Sequence, residues 1–207
     1  MGYDQRVSGD PARTLDLEFP NLPPDVVEGY RSTPEHLVAE IIAGELSLLP
    51  RPRRRRHARG ATRLAGKLVG FDDPGEGDPG GWVILAEPEL RLGPHPDILV
   101  PDIGGWRRER VPPDFLDEGD GLTLAPDWCC EVLSPSTERL DRGRKLDVYH
   151  RERIGHVWLV SPALRTLEVY RWADLGWLLV ATFAEADVVC AEPFDAVPLD
   201  LAGLWAL

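Results

Sequence analysis

A single acidic residue inside an apolar run is the feature that most restricts how this chain can fold. Residues 128–133 read Trp-Cys-Cys-Glu-Val-Leu, which is typical of a buried β-strand, and Glu131 lies in the middle of it. In a strand, Cys129, Glu131 and Leu133 would share one face. Because an ionised carboxylate is costly to bury without a partner, the fold must bring a cation or a metal ion to Glu131.

A second predicted strand carries acids at both ends. Residues 95–102 read His-Pro-Asp-Ile-Leu-Val-Pro-Asp, with Asp97 and Asp102 on opposite faces. If this strand lies next to residues 128–133, one of the two acids can meet Glu131. Two converging carboxylates form a hard-oxygen site suited to magnesium or manganese, and such an ion can activate water and neutralise a scissile phosphate.

A lysine follows on the next predicted helix, which begins at Ser136 or Thr137. Lys145 is one of only two lysines in the chain, and its ammonium group could stabilise negative charge in a transition state. Simpler interpretations remain open at this point. Lys145 could pair with Asp141 four residues earlier, Glu131 could pair with a buried arginine, and Pro-Asp dipeptides are common turn signals.

The order of predicted elements indicates an α/β or α+β fold, with a central mixed sheet flanked by helices and additional antiparallel strands. After residues 1–30, predicted as an extended or partly disordered arm, we expect a single domain over residues 31–207. Helices are predicted at 58–69 and 136–151, with a short helix or turn from Thr33 into Ile42. Strands are predicted at 46–49, 82–85, 89–92, 98–100, 128–133, 155–160, 166–170, 177–183 and 187–190.

The charge balance limits the classes of partner. The chain has 35 acidic and 23 basic residues and a formal charge of −12, which argues against non-specific coating of nucleic acid. A local contact with nucleic acid is predicted at the arginine run Arg53, Arg54, Arg55 and Arg56, although a solvated turn is an equally good interpretation. Trp106 is predicted on a loop facing the substrate.

The three cysteines fit neither a disulfide framework nor a CxxC metal pair, so they are predicted to be small buried apolar side chains. The sequence shows no basic-then-apolar leader and no apolar run of membrane length. We therefore expect a cytoplasmic protein without a membrane partner.

Several motifs together resemble one known family. They are Pro96-Asp97, Glu131-Val-Leu-Ser-Pro-Ser-Thr137, Asp141-Arg-Gly-Arg-Lys145 with Tyr149, His156-Val-Trp-Leu-Val-Ser-Pro162 and Leu167-Glu-Val-Tyr170. This combination resembles the Uma-type restriction endonuclease family, which is placed in the PD-(D/E)XK nuclease superfamily. The resemblance covers about residues 33–205.

The resemblance implies a restriction-endonuclease-like core and a magnesium or manganese site. On the family pattern, Asp97 and Glu131 match the metal ligands, and Glu40 matches an upstream acid that could add a ligand. The superfamily pattern would have lysine at position 133, where this chain has Leu133. Lys145 resembles a replacement for that lysine on the helix.

The expected function is that of a metal-dependent endonuclease that hydrolyses phosphodiester bonds in DNA, with Asp97, Glu131 and Lys145 as catalytic residues. The alternative is a degenerate nuclease-fold module that binds nucleic acid or protein without cleaving it, and Leu133 favours this alternative. A homodimer is also expected, since cutting two strands is simplest with two-fold symmetry.

Overall fold

A computed structural model describes residue 19 and residues 21–50, 55–117 and 121–205. The helices are α1 (Pro24–Arg31), α2 (Arg55–Asp72), α3 (Glu138–Leu140), α4 (Leu146–Arg151) and α5 (Ala202–Trp205), with a 3-10 turn at Arg108–Arg110 and a π-helical turn at Asp141–Lys145. The strands are β1 (Leu37–Ile42), β2 (Glu45–Pro50), β3 (Trp82–Ala86), β4 (Leu90–Leu92), β5 (Asp97–Leu99), β6 (Ile103–Arg107), β7 (Trp128–Val132), β8 (His156–Ser161), β9 (Thr166–Ala173), β10 (Gly176–Ala184), β11 (Val188–Val189) and β12 (Leu199–Asp200).

The largest sheet has six strands in the order β10-β9-β8-β7-β6-β3. The pair β7 and β8 is parallel and the other pairs are antiparallel, so the sheet is mixed. A parallel pair needs a crossover connection. Here the crossover is the helical segment of α3, the π-helical turn and α4, which we call the site helix. The predicted mixed sheet with flanking helices is confirmed.

A second sheet of four antiparallel strands has the order β2-β1-β5-β4, and β11 pairs with β12. The chain leaves this second sheet at the end of β5 and enters the six-stranded sheet at β6. Residues 100–102 therefore join the two sheets. The additional antiparallel strands predicted from the sequence are confirmed.

Helices cover both faces of β7 and β8. On one face Leu64 and Leu68 of α2 belong to the same apolar cluster as Trp128 and Trp158. On the other face Tyr149 of α4 packs in a cluster with Cys129 and Leu159. Cys129 and Cys130 are both 0% exposed, which confirms that these two thiols are buried apolar side chains, but Cys190 is exposed, so the prediction is wrong for the third thiol. Among the described helices, none is both long enough and apolar enough to cross a membrane.

Two predicted segments need correction near the start of the chain. The helix or turn expected from Thr33 into Ile42 is instead strand β1, which a two-residue turn at Ala43 and Gly44 joins to β2. Both turn residues have positive φ, as a tight hairpin requires, and cross-strand pairing outweighs the local helix-start signal. Within the predicted extended arm, the described residues 24–30 are helical and belong to α1.

Strand β6 was missed because its two glycines, Gly104 and Gly105, resemble loop residues. A Cβ atom on Gly104 would lie 2.9 Å from the ring of Trp106, and one on Gly105 would lie 3.0 Å from the ring of Trp128. Glycine is therefore needed in this strand so that large aromatic rings can pack against its backbone.

Candidate active site

Charged side chains converge where the two sheets meet. Glu40 comes from β1, Glu131 from β7, and Asp141 and Lys145 from the two ends of the π-helical turn. These four residues are 1–3% exposed, although all four side chains are ionisable. Together with Asp102 they line a cavity that encloses about 440 Å³, part of which is open to solvent.

Lys145 is the centre of this cluster. Its Nζ lies 2.9 Å from Glu40 Oε1 and 3.2 Å from Glu131 Oε1. Asp141 Oδ1 is 3.4 Å away, close enough for an ion pair but without hydrogen-bond geometry. Burial alone lowers the pKa of Lys145, but the charges of Glu131, Glu40 and Asp141 outweigh burial and raise this pKa well above its usual value. Lys145 is therefore an ammonium ion over the physiological pH range.

Glu131 has two side-chain partners. Its Oε1 accepts hydrogen bonds from Tyr149 Oη at 2.6 Å and from Lys145 Nζ. Burial raises the pKa of Glu131 well above its usual range; Lys145 opposes this shift, and nearby carboxylates, including Asp102, add to it. The buried arginine considered from the sequence is not the partner that the structure shows for Glu131. The partners are a lysine and a tyrosine, both from the site helix.

Asp102 is held against both the strand and α2. Its Oδ2 accepts a hydrogen bond of 2.6 Å from the backbone N–H of Val132, the residue after Glu131. Its Oδ1 lies 3.2 Å from His57 Nε2, in the first turn of α2. Burial lowers the pKa of His57, but the hydrogen bond and charge of Asp102 outweigh burial and raise it. Asp102 and Glu131 therefore lie at the same end of the six-stranded sheet.

The two carboxylate oxygens of Glu40 differ in their contacts. Its Oε1 accepts a hydrogen bond of 2.9 Å from Val100 N–H in addition to the contact with Lys145. Its Oε2 is buried and has no hydrogen-bond partner among the described residues. A buried oxygen without a partner costs about 1–3 kcal/mol, so this atom is available to a ligand in the cavity.

Asp97, the other predicted metal ligand, is not brought to this cluster. Its Oδ2 pairs with Arg151 Nη1 at 2.7 Å, its Oδ1 accepts from the backbone N–H of Ala43, and it does not line the cavity. The reason is that β5 pairs with β1 and β4 in the second sheet and is no neighbour of β7. The aspartate of Pro101-Asp102 takes the predicted place, at the point where the chain crosses between sheets.

The other predicted contacts with nucleic acid were Trp106 and the arginine run. Trp106 is 0% exposed in β6, packs against Phe115 and donates from Nε1 to Leu124 O at 2.8 Å. The prediction that it lies on a loop facing the substrate is therefore wrong. Arg53 and Arg54 fall outside the described residues, and Arg55 and Arg56 begin α2 without a described side-chain position.

Leu133 is 6% exposed and belongs to the apolar cluster around Tyr149, so position 133 faces the core and contributes no charge. The ammonium group in this site comes instead from Lys145. The family resemblance implied that a helix lysine replaces the strand lysine, and the structure brings Lys145 to Glu131 and Glu40.

The donor atoms fit a single hard divalent cation better than a closed metal cage. Within the described ranges, no group of three or more His, Cys, Asp or Glu side chains has the arrangement of a metal site. Magnesium, however, is usually bound by one or two carboxylates together with water and substrate phosphates. Asp102 and Glu131 provide that pair in the cavity, and the free Oε2 of Glu40 is a third carboxylate oxygen nearby.

Comparison with known proteins shows which family this chain belongs to. A search of curated proteins gave no match. The solved structure described as "a putative nuclease belonging to DUF820 from Anabaena variabilis ATCC 29413" has a TM-score of 0.66, with 21% identity, over 87% of this chain and 96% of that chain, which shows a shared fold. The family model Uma2, described as "Putative restriction endonuclease", matches residues 19–202. Because this match covers most of the chain described here, the chain belongs to the Uma2 family.

Proposed function

We propose that this protein is a metal-dependent endonuclease that hydrolyses phosphodiester bonds in DNA. One observation carries the proposal. Lys145 is held as a buried ammonium ion by Glu40 and Glu131, in a cavity that also contains Asp102. Burying this much charge is costly, and ionisable groups with strongly perturbed pKa values cluster at functional sites.

Each residue has a distinct task in the proposed reaction. Asp102 and Glu131 would hold magnesium or manganese, which when bound acts as a Lewis acid on a phosphate and lowers the pKa of water. The Nζ of Lys145 would donate to a phosphate oxygen as negative charge develops on it. Glu40 and Asp141 keep the lysine charged and fix its position.

Binding of the polymer needs positive charge outside the acidic cavity. We assign this role to the arginine run at residues 53–56, which leads directly into α2 and His57. Phosphate contacts of this kind orient a nucleic acid without reading its sequence, and each contact makes binding more sensitive to salt. The predicted homodimer stays a prediction.

The alternative function, a nuclease fold that binds without cleaving, is favoured by one specific observation. The lysine already has three carboxylate partners, and a site in which they remained paired would be a structural ion cluster. Metal binding distinguishes the two functions, because a closed cluster has no ligands to offer.

The test is a calorimetric titration of Mn²⁺ into the wild type, Asp102→Asn and Glu131→Gln. Removing a carboxylate ligand should weaken binding by at least about tenfold in each variant. Asp97→Asn is the matched control, since Asp97 is as buried as Glu131 but is bonded to Arg151 outside the cavity. This variant should bind Mn²⁺ like the wild type.

Circular dichroism and urea unfolding of each variant establish that it is folded. If the wild type binds no Mn²⁺ at millimolar concentration, even with a short DNA present to supply phosphate ligands, the enzyme proposal fails and the binding module replaces it. Loss of binding in Asp97→Asn alone would return the site to the originally predicted residue.

A further inference from the structure

The candidate active site lies in the middle of a longer groove. On one side its cavity continues into a depression of about 630 Å³ along α2, here called the helix arm, which shares His57, Glu87 and Asp102 with it. On the other side it continues into a depression of about 790 Å³ between α1 and β1, the strand arm, which shares Val38, Glu87 and Val100. Both volumes include space open to solvent, and apart from Glu87 the two depressions are lined by different residues, so open surface adjoins the carboxylates both along α2 and between α1 and β1.

The walls of the helix arm are made largely of small and apolar side chains. Ala58, Ala61, Ala65 and Ala86 line it with Ile103. None of the described residues that line this arm is a lysine or an arginine. Among the described side chains that line this arm, only His57 can carry positive charge and it is paired with Asp102, whereas the flat apolar face of a base or a sugar would find a compatible surface on the alanines.

The strand arm has a similar character. Pro34, Leu37 and the ring of Tyr30 contribute apolar surface. Its charged side chains are mostly acidic, since Arg31 is the one basic residue among the described side chains that line it, beside Glu35, Glu87 and Glu89. The hydroxyl of Tyr30 is committed to Glu89 Oε2 at 2.6 Å, which keeps the ring in place against α1. Both arms therefore offer apolar walls beside a central site built for a phosphate.

This distribution favours an unpaired strand over a duplex. A duplex carries its phosphates on the outside, with one charge per ~1.7 Å of axis, so the apolar and acidic walls would face more phosphates without neutralising them. Unpaired nucleotides can turn their bases outward and lay them against apolar or aromatic surfaces. The formal charge of −12 on the chain adds to the cost of the denser polyanion.

We propose that the groove binds a single-stranded segment of polynucleotide, with one phosphate at Lys145 and unpaired nucleotides in both arms. The proposal rests on the nuclease function proposed above and specifies its substrate. Because chain is accommodated on both sides of the central phosphate, the expected cleavage is internal and does not require a strand end.

The experiment measures binding in Ca²⁺ by fluorescence anisotropy, with labelled DNA of about 20 nucleotides as a single strand and as the matching duplex, and with RNA of the same sequence. We expect the single strand to bind at least about tenfold more tightly than the duplex at the same salt concentration. Two variants fill one arm each. Thr62→Trp fills the helix arm and Pro34→Trp the strand arm, and both positions are exposed.

The matched controls place the same tryptophan on exposed positions outside the groove, at Val69→Trp on α2 and at Leu164→Trp. Each arm variant should weaken single-strand binding about fivefold or more, the loss of roughly one stacked base, and leave Mn²⁺ binding unchanged. Both controls should bind like the wild type. Tighter binding of single-stranded RNA than DNA would support the groove proposal and change the sugar assigned to the substrate.

Tighter binding of the duplex, or arm variants that bind the single strand like the wild type, would overturn the proposal. If only one of the two arm variants weakens binding, the proposal that nucleotides occupy both arms is overturned, since the site would then bind the end of a strand. If no polynucleotide binds although Mn²⁺ does, the groove proposal fails while the metal site stands. If Mn²⁺ does not bind either, the proposed function itself has failed.

Discussion

Glu131 shows how a buried acid can be accommodated by two neighbours from one helix. Lys145 supplies charge, and Tyr149, 0% exposed, supplies a hydrogen bond of 2.6 Å to the same oxygen. The two helix residues are four positions apart and therefore lie on the same face. Removing one member of a buried ion pair typically costs about 3–5 kcal/mol, because the other charge is left without a partner.

Tyr149→Phe removes the hydroxyl that orients the Glu131 carboxylate and leaves Lys145, its charged partner, in place. We expect the free energy of unfolding to fall by about 1.5–3 kcal/mol, since a hydrogen bond to a charged group is lost while the ring stays in the core. Mn²⁺ affinity should also fall, by about tenfold, because the carboxylate is no longer held in one orientation. Urea unfolding and calorimetric titration measure the two effects.

Tyr170→Phe is the control for this prediction. Its hydroxyl donates to Glu168 at 2.7 Å, on β9 and outside the cavity, so stability should fall slightly while Mn²⁺ affinity stays constant. Equal Mn²⁺ affinity in Tyr149→Phe and the wild type would mean that Tyr149 only fills the core.

At the residue scale the sequence predicted part of this site. Glu131 and Lys145 could be recognised because a charge in an apolar strand and a rare lysine are visible in the sequence itself. The choice between Asp97 and Asp102 could not be made, because both follow proline and they differ only in which sheet their backbone enters. The role of His57 was missed because a single histidine near the start of a helix carries no spacing signal.

At the scale of elements, the site helix is irregular where it carries function. Its π-helical turn spans Asp141–Lys145, and both end residues line the cavity. A π-turn contains one more residue than the equivalent α-helical turn and is frequent at functional sites. Here it sets the rotation of α3 relative to α4, and therefore the position of Asp141 relative to Lys145.

Deletion of Gly143 tests whether this extra residue is needed. A Cβ atom at Gly143 would meet nothing within 4 Å, so the residue has no packing role, but its removal rotates the preceding turn by about 100°. The turn that carries Asp141 would then be rotated relative to the cavity that this residue lines, and we expect the free energy of unfolding to fall by about 3 kcal/mol or more, because the buried charges lose their present arrangement. Urea unfolding monitored by circular dichroism measures this change.

Gly143→Ala keeps the π-turn and is the control. It should raise stability by about 0.5–1 kcal/mol, since alanine restricts the unfolded chain more than glycine does. A deletion variant as stable as the wild type would show that the turn is tolerated and not required.

The elements of regular pattern were predictable and the irregular ones were not. The predicted helix at residues 58–69 lies within α2, and β7 and β8 occupy the predicted strands. Strand β1 was mistaken for a helix or turn because Thr33-Pro34 is a good local helix start, and local propensity is weaker than pairing with β2 and β5. The π-turn has no recognised signature in a single sequence.

At the scale of the whole molecule, one ion pair connects the site helix to β9 of the six-stranded sheet. Both oxygens of Glu168 on β9 accept hydrogen bonds of 2.7 Å from the guanidinium group of Arg142. The bond from Arg142 is the main reason that the pKa of Glu168 is lowered, and Tyr170 adds to it. The arrangement is bidentate, which gives it more geometric definition than a typical surface pair.

This pair predicts a definite pH dependence. Because the pKa of Glu168 is lower in the folded state, its stabilising contribution is present above the unfolded value of 4.5 and is lost as pH falls through the folded value. Arg142→Met should lower the free energy of unfolding by about 1 kcal/mol at pH 7, with the difference from the wild type shrinking below pH 4.5.

Urea unfolding at a series of pH values measures the difference. Glu138→Gln is the control, since it removes the other carboxylate that Arg142 contacts and leaves the bidentate pair intact. A stability difference between Arg142→Met and the wild type that persists unchanged in acid would mean that Glu168 is not responsible.

The amino-acid sequence alone shows which residues are charged in apolar surroundings, and its apolar periodicity predicts most of the helices and strands. Glu131 had to find a cation because burial of an acid is costly wherever the strand lies. Which aspartate lies beside Glu131 depends on the tertiary fold. Asp97 and Asp102 are five positions apart, but the chain crosses from one sheet to the other between them, so one is bonded to Arg151 and the other faces the cavity. Strand pairing depends on contacts distant in sequence, and a local pattern does not contain them.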